Sequence, residues 1–211
     1  MHRATRIVIT MTLLLATTCA AHAQPAGSGV NGATIGGALA WAALWDDETH
    51  LGRGPTAAGE MATSVGNHVR IAAEAAWFGH DRDAGNLAAD GTVLSLMGRA
   101  SVLLGPPAWR ARPLLGAGVG IAHSTGTLTF HASGPGPGGR AEPGPEVRRS
   151  WTLNHLAWEL HAGVRLKATD RVAVRPEVRA GIMGGTRRDG GALEPPLLRL
   201  QGGVAFEWAV R

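Results

Sequence analysis

The side chains of this chain that could do chemistry are histidines, glutamates and arginines set two residues apart. His155, Glu159 and His161 share one parity, and Arg175, Glu177 and Arg179 share another a few residues later. Imidazole and carboxylate are reasonable metal ligands. On an extended chain, however, residues i and i+2 lie about 7 Å apart, which is wide for joint hold of one ion. No metal is expected. A second candidate is Phe130-His131-Ala132-Ser133, a His-x-Ser followed by Glu142 and Glu146. Ser133 opens the Gly/Pro-rich run Ser133–Pro145, in which a catalytic geometry is hard to hold. No phosphate loop, nucleophile elbow or dinucleotide fingerprint occurs, so no cofactor and no enzyme activity are expected. What remains is ionic pairing, the chemistry of opposite charges where water is scarce.

Spacing of two means β-strands, because successive strand side chains point to opposite faces. In Arg171–Ile182 one face reads Val172, Val174, Pro176, Val178, Ala180 and Ile182, while the other holds Arg171, Arg175, Glu177 and Arg179. The same pattern predicts eight strands: Thr34–Trp45, Ala58–Val65, His68–His80, Thr92–Leu104, Arg112–Ser124, Thr152–Lys167, Arg171–Met183 and Leu197–Arg211. Ala58–Val65 is the weakest of them. Short connections at Gly66-Asn67, Gly105–Arg110 and Ala168–Asp170 alternate with longer ones at 46–56, 81–91, 125–151 and 184–196. That asymmetry is expected of an outer-membrane barrel, with short turns at one end and long loops at the other. The third long loop is too rich in Gly and Pro to pack and is expected to be mobile.

The charged faces collect Arg70, Glu74, Arg99, Glu159, His161, Arg165, Arg175, Glu177, Arg179, Arg199 and Glu207. Both signs appear, as neutralisation inside a narrow barrel requires. The opposing faces, such as Leu156-Trp158-Leu160-Ala162-Val164-Leu166, carry no charge. A soluble barrel would turn the apolar faces inward, a membrane barrel outward. Trp41, Trp45, Trp77, Trp109, Trp151 and Trp208 lie at or near strand ends, as an interfacial aromatic girdle would. Together with strand lengths suited to a tilted crossing, this favours the membrane. If Ala168–Asp170 is a three-residue turn, strands six and seven pair so that Glu159 faces Arg179, His161 faces Glu177 and Gly163 faces Arg175. Gly116 and Gly118 then make room in the lumen for large side chains opposite.

Residues 1–23 read as a signal peptide: Arg3 and Arg6, an apolar stretch from Ile7 to Ala16, and the small-x-small site Ala21-His22-Ala23. The only cysteine, Cys19, falls inside it and lacks a lipoprotein box before it. Residues 24–211 form one domain with 18 Arg and Lys against 16 acids. Those cations are scattered beside acids with no basic patch, so nucleic acid is not an expected partner.

Ala111-Arg-Pro-Leu-Leu-Gly-Ala-Gly-Val-Gly120, the segment Ala162–Arg179 with its Gly-Val-Arg and Arg-Pro-Glu-Val-Arg flanking a turn, and Gly202–Trp208 resemble the outer membrane protein β-barrel domain family, the small eight-stranded barrels of the OmpA and OmpX kind. The resemblance implies an all-β, eight-stranded antiparallel up-and-down transmembrane barrel in a Gram-negative outer membrane. It implies outer-membrane lipid and the outer-membrane insertion machinery as partners, and a monomer. The expected role is structural or interactive, with a charged, plugged lumen. A barrel that passes or binds a small molecule is the alternative, and a lipid-modifying enzyme the third. N-terminal sequencing of membrane-extracted protein should return Gln24 as the first residue; a start at Met1, or a lipid on Cys19, would refute the leader.

Overall fold

The computed structural model describes residues 30–45, 50–135, 141–184 and 196–210. The expected leader lies outside them. They form β1 (Val30–Trp45), β2 (His50–Val65), β3 (Val69–Ala84), β4 (Leu87–Leu103), β5 (Ala111–Pro135), β6 (Ala141–Lys167), β7 (Val172–Gly184) and β8 (Leu197–Val210). Each strand pairs antiparallel with its neighbour in sequence, and β1 pairs with β8 from Ala33↔Val210 to Trp45↔Leu198. The sheet is a closed barrel, so its wall has no unpaired edge.

Side-chain parity decides what goes where. Along β3, Arg70, Ala72, Glu74, Ala76, Phe78 and His80 are buried inside, while Val69, Ile71 and Ala73 are exposed. The outer wall carries Leu39, Ile121, Leu156, Trp158, Leu160, Val178, Phe206 and Trp208, each more than half exposed. A belt of this size on a water-facing protein would mark an interaction surface; on a closed barrel it is the face that meets hydrocarbon.

The lumen has two zones. Toward the end away from the termini, Leu44, Leu51, Phe78, Val93, Met97, Met183 and Leu197 form one buried apolar cluster. Below it, toward the termini, sit the charged side chains. The sequence reading foresaw the charges and missed the apolar stopper. Leu44, Met183 and Leu197 lie near strand ends, while Phe78, Val93 and Met97 continue the inward parity of β3 and β4 above the charges.

Three expectations need correction. First, the strands on the far side are longer than the pattern suggested, and the loops correspondingly shorter. The β3–β4 connection is only Gly85-Asn86, with Gly85 at φ 68° as the first residue of a tight hairpin turn. In polar stretches such as Asp81-Arg82-Asp83 the backbone ladder continues without an apolar face. Second, the Gly/Pro-rich loop is not wholly irregular: β5 and β6 pair out to Pro135↔Ala141. Residues 136–140 lie outside the described ones. Trp151 belongs to this hairpin, above the last β6–β7 pair at Leu156↔Gly184, rather than to a girdle.

Third, the β6–β7 register differs by two residues. His161 faces Arg179, Glu159 faces Gly181 and Gly163 faces Glu177. The turn has four residues, Ala168–Arg171, because Thr169 Oγ1 accepts from both Arg171 N (3.2 Å) and Val172 N (3.0 Å). This keeps Arg171 out of the strand. A shift of two preserves every side chain's face, so the charges stay inside, whereas a shift of one would have put them in lipid.

Leu160 is exposed on the wall between Trp158 and Ala162. Leu160→Arg should lower folding stability in lipid vesicles by about 2–4 kcal/mol, read as a shift of the urea unfolding midpoint. An unchanged midpoint would place this face away from hydrocarbon.

Candidate functional site

The charged lumen is built from residues that the strands deliver at every second position. Glu60 on β2 and Glu74 on β3 are direct cross-strand partners, both buried. Like charges placed so would destabilise the hairpin on its own. Arginines from the opposite wall reverse that. Arg175 Nη2 reaches Glu60 Oε2 at 2.9 Å, and Arg179 Nη1 and Nη2 reach Glu74 at 2.6 and 2.9 Å, a two-point fork. Arg70 also pairs with Glu60, and Arg99 Nη1 with Glu74 at 2.9 Å.

The network continues without a break. Glu177 takes Arg175 Nε at 2.8 Å and Arg179 Nε at 2.6 Å. Glu159 takes Arg99 Nε at 2.5 Å and Arg199 Nη2 at 3.3 Å. Glu207 takes Arg175, Arg70 at 3.2 Å and Arg165 Nε at 2.7 Å. Arg165 lies nearest the terminal end, with its side chain 28% exposed; the other side chains of this network are at most 6% exposed. Burial of that depth is tolerable because each carboxylate receives at least two guanidinium groups.

Glycines leave the space. A Cβ on Gly118 would sit 3.0 Å from Glu159 Cγ and 3.1 Å from Arg99 Cγ, tighter than ordinary contact, so glycine here gives the pair room to cross the strand. On Gly163 it would meet Glu177 Cβ at 2.9 Å. The Gly-x-Gly of β5 is therefore a packing device.

The structure brings together every lumenal residue expected from sequence but redistributes the partners. Glu159 pairs with Arg99 and Arg199, not with Arg179. Sequence reasoning missed Glu60, because its strand looked weak, and Arg112. Arg112 is buried near the terminal end and donates to the carbonyls of Asn67 (2.8 Å), Leu103 (3.1 Å) and Gly105 (3.2 Å). The parity of Glu60 relative to Arg70 across the Gly66 turn was the available signal.

The histidines do structural work. His161 Nε2 lies 2.8 Å from Ser101 Oγ, and His155 bridges Ser124 Oγ (2.7 Å) and the Gly184 carbonyl (3.1 Å). His155, Glu159 and His161 do share the inward face, yet no metal-binding group of three appears among the described residues. His131 is exposed on the hairpin and faces Glu146 across the ladder, which shifts register between His131 and Ser133.

The site thus sits in a closed eight-stranded barrel with an apolar outer wall and an ionic interior. The family profile described as "Outer membrane protein beta-barrel domain" matches residues 11–192. The chain belongs to that outer-membrane family. Among solved structures, this family member is similar to Neisserial surface protein A, at a TM-score of 0.63 and 12% identity, over 87% of this chain and 100% of that one. It is also similar to Ail, the attachment invasion locus protein of Yersinia pestis, at 0.48 and 12%, over 84% and 99%. No curated protein sequence matches it. In such barrels an even number of strands leaves both termini at the periplasmic end, which puts the apolar stopper and the β5–β6 hairpin on the outside. The expected alternation of short and long connections does not mark the ends here, since β3–β4 turns in two residues and β4–β5 in seven.

Glu60 neutralises Arg70 and Arg175 and lies 3.4 Å from Arg99 Nη1. Glu60→Ala should therefore cost on the order of 3–5 kcal/mol by leaving buried guanidinium charge uncompensated. Urea titration of refolded protein, followed by heat-modifiable gel migration, would check this; a cost under about 1 kcal/mol would mean that water replaces the carboxylate.

Proposed function

We propose that this protein is a non-conducting scaffold of the outer membrane, a structural and interaction protein of the cell envelope rather than an enzyme. The observation that carries this reading is the double seal of the lumen. Phe78, Leu44, Val93 and Met97 close its outer half, with exposures of 0–2%, and the Arg–Glu network closes its inner half. Eight strands leave an interior that side chains just fill. A solute would have to break several ion pairs at once to pass.

Function is then displaced to the outside. The β5–β6 hairpin rises above the β6–β7 contact and shows Phe130 and Val147, cross-strand partners 44% and 57% exposed, beside the exposed Arg148 and Arg149. Apolar side chains with cationic neighbours on a protruding ladder form an adhesive surface. In this reading residues 1–23 export the chain, the insertion machinery assembles it, and it works as a monomer surrounded by lipid, without nucleic acid. Refolded protein in planar bilayers should show no steady conductance in 1 M salt. A reproducible open level would refute the seal and favour passage of small solutes instead.

A further inference from the structure

The lipid-facing wall is not uniform. Outward residues form rows across the strands, and one row runs Phe206, Gly37, Gly59, Ala75, Leu96, each the cross-strand partner of the next. Its three middle members have little or no side chain. The row on the periplasmic side carries Ile35 and Met61, and the row on the other side carries Leu39 and Trp77. The result is a trough in the wall, a mostly apolar cavity of about 510 Å³ whose lining also includes Glu60, Glu74 and Glu207, the inward-facing residues between the rows. It slants across β4 to β1 and ends at Val172, the first residue of β7, paired there with the half-exposed Trp208.

The lower end is cationic. Arg110, Lys167 and Arg171 are exposed at the periplasmic rim. Backbone bonds hold them there: Lys167 N donates to Arg110 O (2.7 Å), and Ala209 N, next to Trp208, donates to Arg171 O (2.8 Å). Asp170 pairs with Lys167 at 2.8 Å, while Arg110 and Arg171 have no ion pair among the described residues. An apolar trough in the hydrocarbon therefore leads to exposed cationic side chains at the headgroup level.

We propose that this trough is a binding site for one anionic phospholipid, with an acyl chain lying over Gly37, Gly59 and Ala75 and its phosphate at the rim beside Arg171. Three features select this occupant. A cavity of about 510 Å³ that runs from β4 to β7 is long and large enough to take an acyl chain. Small residues allow close van der Waals approach, the attraction that still discriminates inside a bilayer, where burial from water no longer does. The cationic end selects headgroup charge.

Native mass spectrometry of the folded full-length protein, released from detergent with either phosphatidylglycerol or phosphatidylcholine of equal chain length, tests this. The wild type should retain one phosphatidylglycerol, about tenfold more tightly than phosphatidylcholine. Ala75→Leu, which fills the trough, should weaken retention of both lipids about tenfold, and Arg171→Ala should abolish only the headgroup preference. Ala117→Leu, on the exposed wall of β5 away from the trough, should change nothing. Heat-modifiable migration verifies folding of each variant, and Ala73→Leu replaces Ala75→Leu if the latter does not fold. Equal retention by the Ala75→Leu and Ala117→Leu proteins would reduce the signal to annular lipid and overturn the site. A lipid-free dimer abolished by Ala75→Leu would assign the trough to a second copy, also overturning it. Conductance bears on the scaffold reading alone, so the two fail separately.

Discussion

Ionised glutamates inside a thin protein wall surrounded by hydrocarbon are the constraint on which the rest of this structure depends. Five of them, Glu60, Glu74, Glu159, Glu177 and Glu207, sit at 1–6% exposure. Several find a first partner nearby: Arg70 for Glu60 across the β2–β3 hairpin, Arg99 for Glu74 across β3–β4, and Arg175 and Arg179 for Glu177 on its own strand. Glu60 and Glu74 also face each other across β2 and β3, and closure of the barrel adds Arg175 and Arg179 from β7 to that pair. The network therefore couples closure, register and parity. A wall that failed to close would take Arg175 and Arg179 away from the Glu60–Glu74 pair, and a strand slipped by one residue would put a guanidinium into lipid.

The two zones of the lumen solve the same filling problem by different physics. The apolar stopper around Phe78 and Met97 needs only shape, since its atoms require no partners. The ionic zone needs shape and exact pairing, because each charge left over would cost several kcal/mol. Glycine at 118 and 163 supplies the shape, giving up packing area so that long side chains from other strands can cross. A lumen filled in this way leaves no unpartnered carboxylate among the described residues of its ionic zone.

Strand length on the outer side follows a further rule. The apolar-polar alternation reports burial of one face, whereas strand pairing needs only backbone donors and acceptors. Above the membrane belt the two part company. Asp81-Arg82-Asp83 and Thr125–Pro135 keep their ladders where the alternation has gone. Reading alternation alone therefore measures the width of the belt and underestimates the height of the barrel.

The sequence by itself determined the class of fold, the number of strands and which residues face inward, because each of these is carried by local parity. Arg175-Pro-Glu-Val-Arg179 announces a charged and an apolar face whatever it pairs with. Glu60 escaped only because its neighbours are small, so that its strand gave a faint pattern. What tertiary structure alone decided is who meets whom. Glu159 finds Arg99 and Arg199, and Arg175 reaches Glu60 across 115 residues of chain. The β6–β7 partners moved by two residues because a threonine hydroxyl captured two backbone amides in the turn. Contacts across a lumen depend on curvature, shear and side-chain length summed around eight strands, and none of these is written in the spacing of any one of them.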